Sequence, residues 1–250
     1  MGGCVMTALP GRWVASPPCR TWSSRPPSSV REPRTGAGEE GIWVRRSAGN
    51  ASVYIGDMSA TDICGRLRDW CDLYPNPLAL TEENVAARAD EDERLGRFAG
   101  LDALDREQVI ELISWKFQSM AHRKALALRG VSLERWGGQD GAAVLIRRAL
   151  ADSDDDKALA TVCGIYRFGP AMSSVVLAAC RPGRFTVADS RALKALRGLG
   201  RMPAGPPGFR QADWLPYLRA CRSLARLCGM SLREVDRALW VAANDSEVAG

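Results

Sequence analysis

In "RPGRFTVADSRALKALRGLGR", residues 181–201, six basic residues surround a single acid, Asp189. A lone carboxylate in such a setting can stabilise a developing cation and can orient or deprotonate a water molecule. Twenty residues before it lies Gly169, in a turn that runs from Gly164 through Arg167 and Phe168. Pro170 then suits the first position of a helix, where a missing N–H costs nothing. Gly169 permits close backbone approach, and the helix N-terminus attracts anions. Residues Arg167, Phe168, Gly169, Ala171 and Met172 thus have the makings of a phosphate clamp indifferent to sequence. Two simpler readings stand beside this. The turn also suits an ordinary connection between two helices, and Asp is a common N-cap.

Other chemistry is sparse. His122 is the sole histidine, so a Ser–His or Cys–His pair has one candidate and metal sites built on several His are excluded. The eight cysteines contain no C-x-x-C pair and no secretory signal precedes them, so they read as reduced thiols that mostly serve as small buried hydrophobes. Cys64 and Cys71, like Cys221 and Cys228, lie seven apart on one helix face, which suits packing. "SWKFQSMAHRK" places Trp115, Lys116, His122 and Arg123 on one long helix, with Trp115 and His122 on a shared face. That group suits a pocket for a flat ligand, and equally the core and rim of an amphipathic helix.

The elements that must position these residues are helical. "TDICGRLRDWCDLY" repeats apolar residues at Ile63, Leu67, Trp70 and Cys71, with Thr61 or Asp62 available as a cap. Thr81 can cap "LTEENVAARADEDERLGRF". Asp105 and Gln108 have capping-box spacing, as do Ser231 and Glu234. Helices are also predicted over "DGAAVLIRRALAD", ending near Asp152, and from Asp154–Asp156 to Cys163. Trp136, Trp214 and Trp240 read as core anchors. Only Phe185–Val187 looks extended, and "RMPAGPPG" at 201–208 is a loop. The prediction is an all-α protein of nine or ten helices.

The chain has 250 residues and a net charge of +5. Seven Arg against three Glu give residues 1–50 a charge of +4, which leaves +1 for the rest. The body is therefore not broadly basic, and any anion-binding surface must be local. Residues 1–57 are Pro-, Gly-, Ser- and Arg-rich and predict a disordered extension. A transit peptide, or a true start at Met58, would also account for that composition. No apolar run is long enough to cross a membrane, and a cytoplasmic monomer is expected.

"IYRFGPAMSSVVLA" and "FTVADSRALKAL" resemble the hairpin and the following segment of the helix-hairpin-helix DNA glycosylases. This superfamily includes the 8-oxoguanine and 3-methyladenine glycosylases. The resemblance covers residues 155–200 by motif (hairpin 155–180, Asp segment 185–198) and 58–250 loosely, as an all-helical chain. It implies a two-lobed helical domain that binds double-stranded DNA bearing a damaged or flipped base. It implies Asp189 as the catalytic carboxylate of base excision repair, with the hairpin, Arg191 and Lys194 on phosphates. Trp115, Lys116 and His122 would then be candidates for a base pocket. Arg167 departs from the Gly usual there. Ala171 stands where bifunctional members carry a nucleophilic Lys, which implies a monofunctional enzyme with water as nucleophile. Cys221 and Cys228 have the first spacing of a four-cysteine cluster, but no third or fourth Cys follows; no metal, cluster or other cofactor is expected. A non-catalytic DNA-binding module on the same scaffold, and a helical interaction protein, remain competing readings.

Overall fold

The computed structural model describes residues 59–74 and 91–245, all within one compact unit, Asn50–Gly250. The extension read into residues 1–57, and the cap at Thr81, lie outside the described residues. The described residues contain eleven α-helices, two 3₁₀ turns and no strand, so the chain is all-α. The helices are α1 (Ala60–Leu73), α2 (Glu91–Gly96), α3 (Arg106–Lys116), α4 (Ala121–Leu128), α5 (Leu133–Trp136), α6 (Ala142–Ala151), α7 (Asp155–Cys163), α8 (Pro170–Cys180), α9 (Ser190–Gly198), α10 (Trp214–Cys228) and α11 (Leu232–Ala242). The 3₁₀ turns are Arg129–Val131 and Gln211–Asp213. No helix of the described residues is long and apolar enough to cross a membrane.

Both anticipated capping boxes are present, Asp105 with Gln108 on α3 and Ser231 with Glu234 on α11. The cap of α1 is Ser59 instead of Thr61 or Asp62; its hydroxyl accepts from the Asp62 amide at 3.1 Å. The one long helix expected to carry Trp115, Lys116, His122 and Arg123 is broken. Phe117 leaves helical geometry (φ −114°, ψ 33°) and buries its ring, and the chain restarts at Ala121 as α4. Trp115 and His122 are therefore not on one continuous face.

Helix α8 is the central element. Met172 to Leu177, Ala179 and Cys180 are all buried, the pattern of a helix enclosed on nearly every side. Helices α3, α6 and α7 pack on it. Helix α10 supplies Trp214 and Tyr217, both fully buried. Trp214 stacks on Phe185 at 6.2 Å between ring centroids. Helix α11 packs between α1 and α9. Trp136 and Trp240 are only half-buried at the core's margin.

Cys64 and Cys228 form a disulfide across 164 residues of chain. The reading of all eight cysteines as reduced thiols is corrected for this pair. Their spacing marked the buried faces of α1 and α10 but not that those faces meet, with Cα atoms 5.0 Å apart. Cys71, Cys163, Cys180 and Cys221 are free thiols.

Candidate functional site

The segment from Phe185 to Ala188 is buried, belongs to no helix or strand, and delivers Asp189 to the head of α9. Two hydrogen bonds hold it. Tyr217 Oη donates to the Val187 carbonyl at 2.9 Å, and the Ala188 amide donates to Ser174 Oγ at 2.7 Å. Ser174 in turn donates to the Ala171 carbonyl at 3.0 Å. A single hydroxyl thus ties the first turn of α8 to the residue before Asp189. This is why the hairpin and the carboxylate keep a fixed distance.

Asp189 is the N-cap of α9, its Oδ1 accepting from the Arg191 amide at 2.8 Å. Its Oδ2 lies 3.1 Å from Lys116 Nζ, whose side chain is only 10% exposed. Burial pushes the Asp189 carboxyl up. The charge of Lys116, the Arg191 amide and the Lys116 hydrogen bond outweigh it and hold the carboxyl below the ordinary range. Asp189 is therefore an ionised group at neutral pH, suited to facing a cation.

Asp189 opens onto a cleft of about 620 Å³. The break after α3 forms one wall, through Lys116, Phe117 and Met120. Ala171 and the start of α9 form another, and Trp240 and Arg237 of α11 a third. Of the residues expected to share a site, the cleft brings together Trp115, Lys116, Arg123, Ala171, Asp189 and Arg191. Arg191 sits with Cζ 4.9 Å from the Trp240 ring centroid. His122 is exposed on α4 and outside this lining, although its neighbour Arg123 is part of it.

The hairpin itself joins α7 and α8. Gly169 is the N-cap of α8 and Pro170 its first residue, as expected. Arg167 holds φ 66°, the only non-glycine among the described residues with positive φ. The turn closes with Arg where Gly would be less strained, by about 1–2 kcal/mol. The side chains of Phe168 and Met172 are buried, and their amides already donate to the Ile165 and Gly169 carbonyls at 2.9 and 3.0 Å, so neither residue has a free donor for a ligand. Arg167 and Lys194 are exposed.

The basic segment divides. Arg181 pairs with Asp102 and donates to the Leu101 carbonyl at 2.8 Å. Arg184 pairs with Asp155 at 2.8 Å, and Arg197 donates to the Pro206 carbonyl at 2.9 Å. These three hold loops in place. Arg191, Lys194 and Arg201 are exposed at the surface.

A charged network that the sequence pattern did not reveal lines the same cleft. Glu91, 3% exposed, accepts from Tyr74 Oη at 2.6 Å and Trp115 Nε1 at 2.7 Å, and pairs with Arg233 at 2.8 Å. Arg233 also pairs with Asp236, and Arg237 with Asp92. Burial raises the Asp236 carboxyl to about 6 against the opposing charges of Arg233 and Lys116. One signal was legible: Leu232, Val235 and Leu239 define the apolar face of α11, and Asp236 falls on it.

No group of His, Cys, Asp and Glu among the described residues is arranged to hold a metal ion. No family model matches the chain, and neither a curated protein nor a solved structure matches it.

Proposed function

We propose that the protein is a helix-hairpin-helix glycosylase-like DNA-binding protein that hydrolyses the N-glycosidic bond of a damaged base, as in base excision repair. The observation that carries this reading is the shared cleft: Asp189 and the first turn of the hairpin's second helix, through Ala171, face one cavity and are joined by Ser174. An extruded nucleotide would bring its sugar to Asp189 while the hairpin holds a neighbouring phosphate. As the bond from C1′ to the base nitrogen breaks, the sugar gains oxocarbenium character and the ionised Asp189 stabilises it. Water adds its oxygen to C1′; the base leaves with the bonding pair and takes up a proton. Lys116 is a positioning residue that keeps Asp189 charged and oriented. With Ala171 at the usual lysine position, water is the nucleophile. DNA as substrate places the working protein in the cytoplasm, with the nucleoid if the cell is bacterial.

A second reading has its own observation. Both oxygens of Asp189 are already engaged, one by the Arg191 amide and one by Lys116. A carboxylate so occupied also suits a scaffold that binds DNA without cutting it.

The test is cleavage of labelled duplexes carrying 8-oxoguanine, an alkylated purine, uracil or hypoxanthine, by wild type and Asp189→Asn, with alkali to reveal abasic sites. Affinity is read in parallel. Abasic sites on one lesion with wild type only, while both proteins bind, is the expected result. Binding by both with no cleavage by either replaces it with the second reading. Borohydride in the same reactions checks the nucleophile. No protein–DNA adduct is expected; an adduct lost in Lys116→Arg would make the Lys116 amine the nucleophile instead of water.

A further inference from the structure

A charged surface outside the cleft converges on the hairpin turn. Tyr166 is 41% exposed there. Arg135 places its Cζ 4.2 Å from the ring centroid and Arg167 4.9 Å. A hydrogen bond from Arg167, then the charges of Arg167, Arg135 and Arg129, hold the Tyr166 hydroxyl below the ordinary phenol range. The three arginines come from separate elements: the 3₁₀ turn, α5 and the hairpin. All three are exposed, and none makes an ion pair within the described residues. One acid stands beside them, Glu134, whose carboxylate is hydrogen-bonded to Ser132.

This convergence is built into the backbone. A Cβ on Gly130 would lie 2.2 Å from the Tyr166 carbonyl oxygen, so the 3₁₀ turn sits directly against the hairpin. Only glycine allows that approach, and it sets the turn that carries Arg129 against the hairpin. Arg167 adds its guanidinium at the one non-glycine position among the described residues held in the left-handed region.

We propose that Arg129, Arg135 and Arg167, gathered around Tyr166, form a phosphate-binding surface that extends the DNA footprint beyond the Asp189 cleft. This rests on the reading of the protein as a DNA binder. The charge favours a polyanion: three guanidiniums face solvent with one carboxylate near them, in a protein whose body is close to neutral. Guanidinium forks match phosphodiester oxygens. Two of them lie within 5 Å of the Tyr166 ring centroid, a contact that lowers the ordering cost of binding. Such interactions set position on the duplex without reading sequence.

The experiment is the salt dependence of affinity for a short labelled duplex. Wild type, Arg135→Gln, the triple Arg129→Gln/Arg135→Gln/Arg167→Gln, Tyr166→Ala and Asp189→Asn are compared. Removing one phosphate-binding arginine should reduce the slope of log K against log salt by about 0.9. A fall of about 1 for Arg135→Gln and about 3 for the triple is expected, against no such fall for Asp189→Asn, which removes no cation. Tyr166→Ala should weaken binding while leaving most of the slope. Thermal midpoints of the arginine and tyrosine variants should stay near wild type, since these side chains are at the surface. A triple variant with wild-type slope and affinity overturns the proposal. So does binding of polyglutamate as tight as the duplex and dependent on the same three arginines, which would mark an acidic protein partner. Loss of slope in the triple, with no cleavage by wild type, keeps this surface and rejects the catalytic reading. No duplex binding by wild type at low salt rejects both.

Discussion

Two carboxylates in one neighbourhood are driven apart by their surroundings. Asp189 has Lys116 and a helix amide, and stays ionised. Asp236 is enclosed, and burial raises it to about 6 although Arg233 and Lys116 oppose this. The sign of its effect on stability follows. The folded state holds the Asp236 proton more tightly than the unfolded chain does. Its contribution is therefore fully present below about pH 4 and is lost as pH rises through about 6. The magnitude is on the order of 1–3 kcal/mol. Asp236→Asn should remove that portion of the pH dependence while Arg233 keeps Glu91 at 2.8 Å. Denaturant midpoints at about pH 4.5 and about pH 7 for both proteins give the comparison. Asp155, Asp189 and Asp213 act with the opposite sign in both, and the charge of Asp189 also raises Asp236, so the difference reports Asp236 together with its coupling to Asp189. Identical pH profiles would rule the effect out.

Most of the helices were legible because their apolar period and caps are local properties. The interruption between α3 and α4 was not. "FQSM" contains neither Gly nor Pro, and the period runs through it. The helix breaks where the chain buries Phe117 and opens the wall of the cleft, a decision made by packing. The one-turn helix α5 was illegible for a related reason: Leu133–Trp136 is too short to show a period. The seam between the 3₁₀ turn and the hairpin can be tested at this scale. Gly130→Ala places a methyl 2.2 Å from a backbone oxygen that no rotamer change can move. A loss of about 1–3 kcal/mol is expected in chemical denaturation. It should be accompanied by weaker duplex binding. A neutral effect on both would mean that the two turns separate easily in solution.

Across the whole molecule, α1 is held to the C-terminal helices by more than packing. The disulfide joins Cys64 to Cys228, and Arg68 donates to the Cys228 carbonyl at 2.7 Å. Trp70 Nε1 donates to Asp245 at 3.1 Å. A bridge closing so long a loop removes much unfolded-state freedom, so reduction should cost about 2–5 kcal/mol. Denaturation with and without reductant measures it, and non-reducing peptide mapping should recover Cys64 linked to Cys228. Unlinked thiols at both positions would refute the bridge. Structural disulfides persist mainly in oxidising compartments. Recovery of the linked peptide from protein alkylated inside cells would therefore count against the cytoplasmic placement that the proposed role implies.

What the sequence determined was what neighbouring residues decide among themselves: the all-α class, both capping boxes, the Gly169–Pro170 start of α8 and Asp189 at the head of α9. Period, cap chemistry and proline geometry act within a few residues. What only the tertiary structure decided were meetings between residues far apart in the chain. Lys116 reaches Asp189 across 73 residues, and Cys64 reaches Cys228 across 164. Glu91 receives Arg233, Arg129 and Arg135 come to Tyr166, and the apolar period that pointed His122 into the site stops short of it. Such pairings follow from how helix faces dock, and nothing in the local pattern of a helix states which other face it will meet.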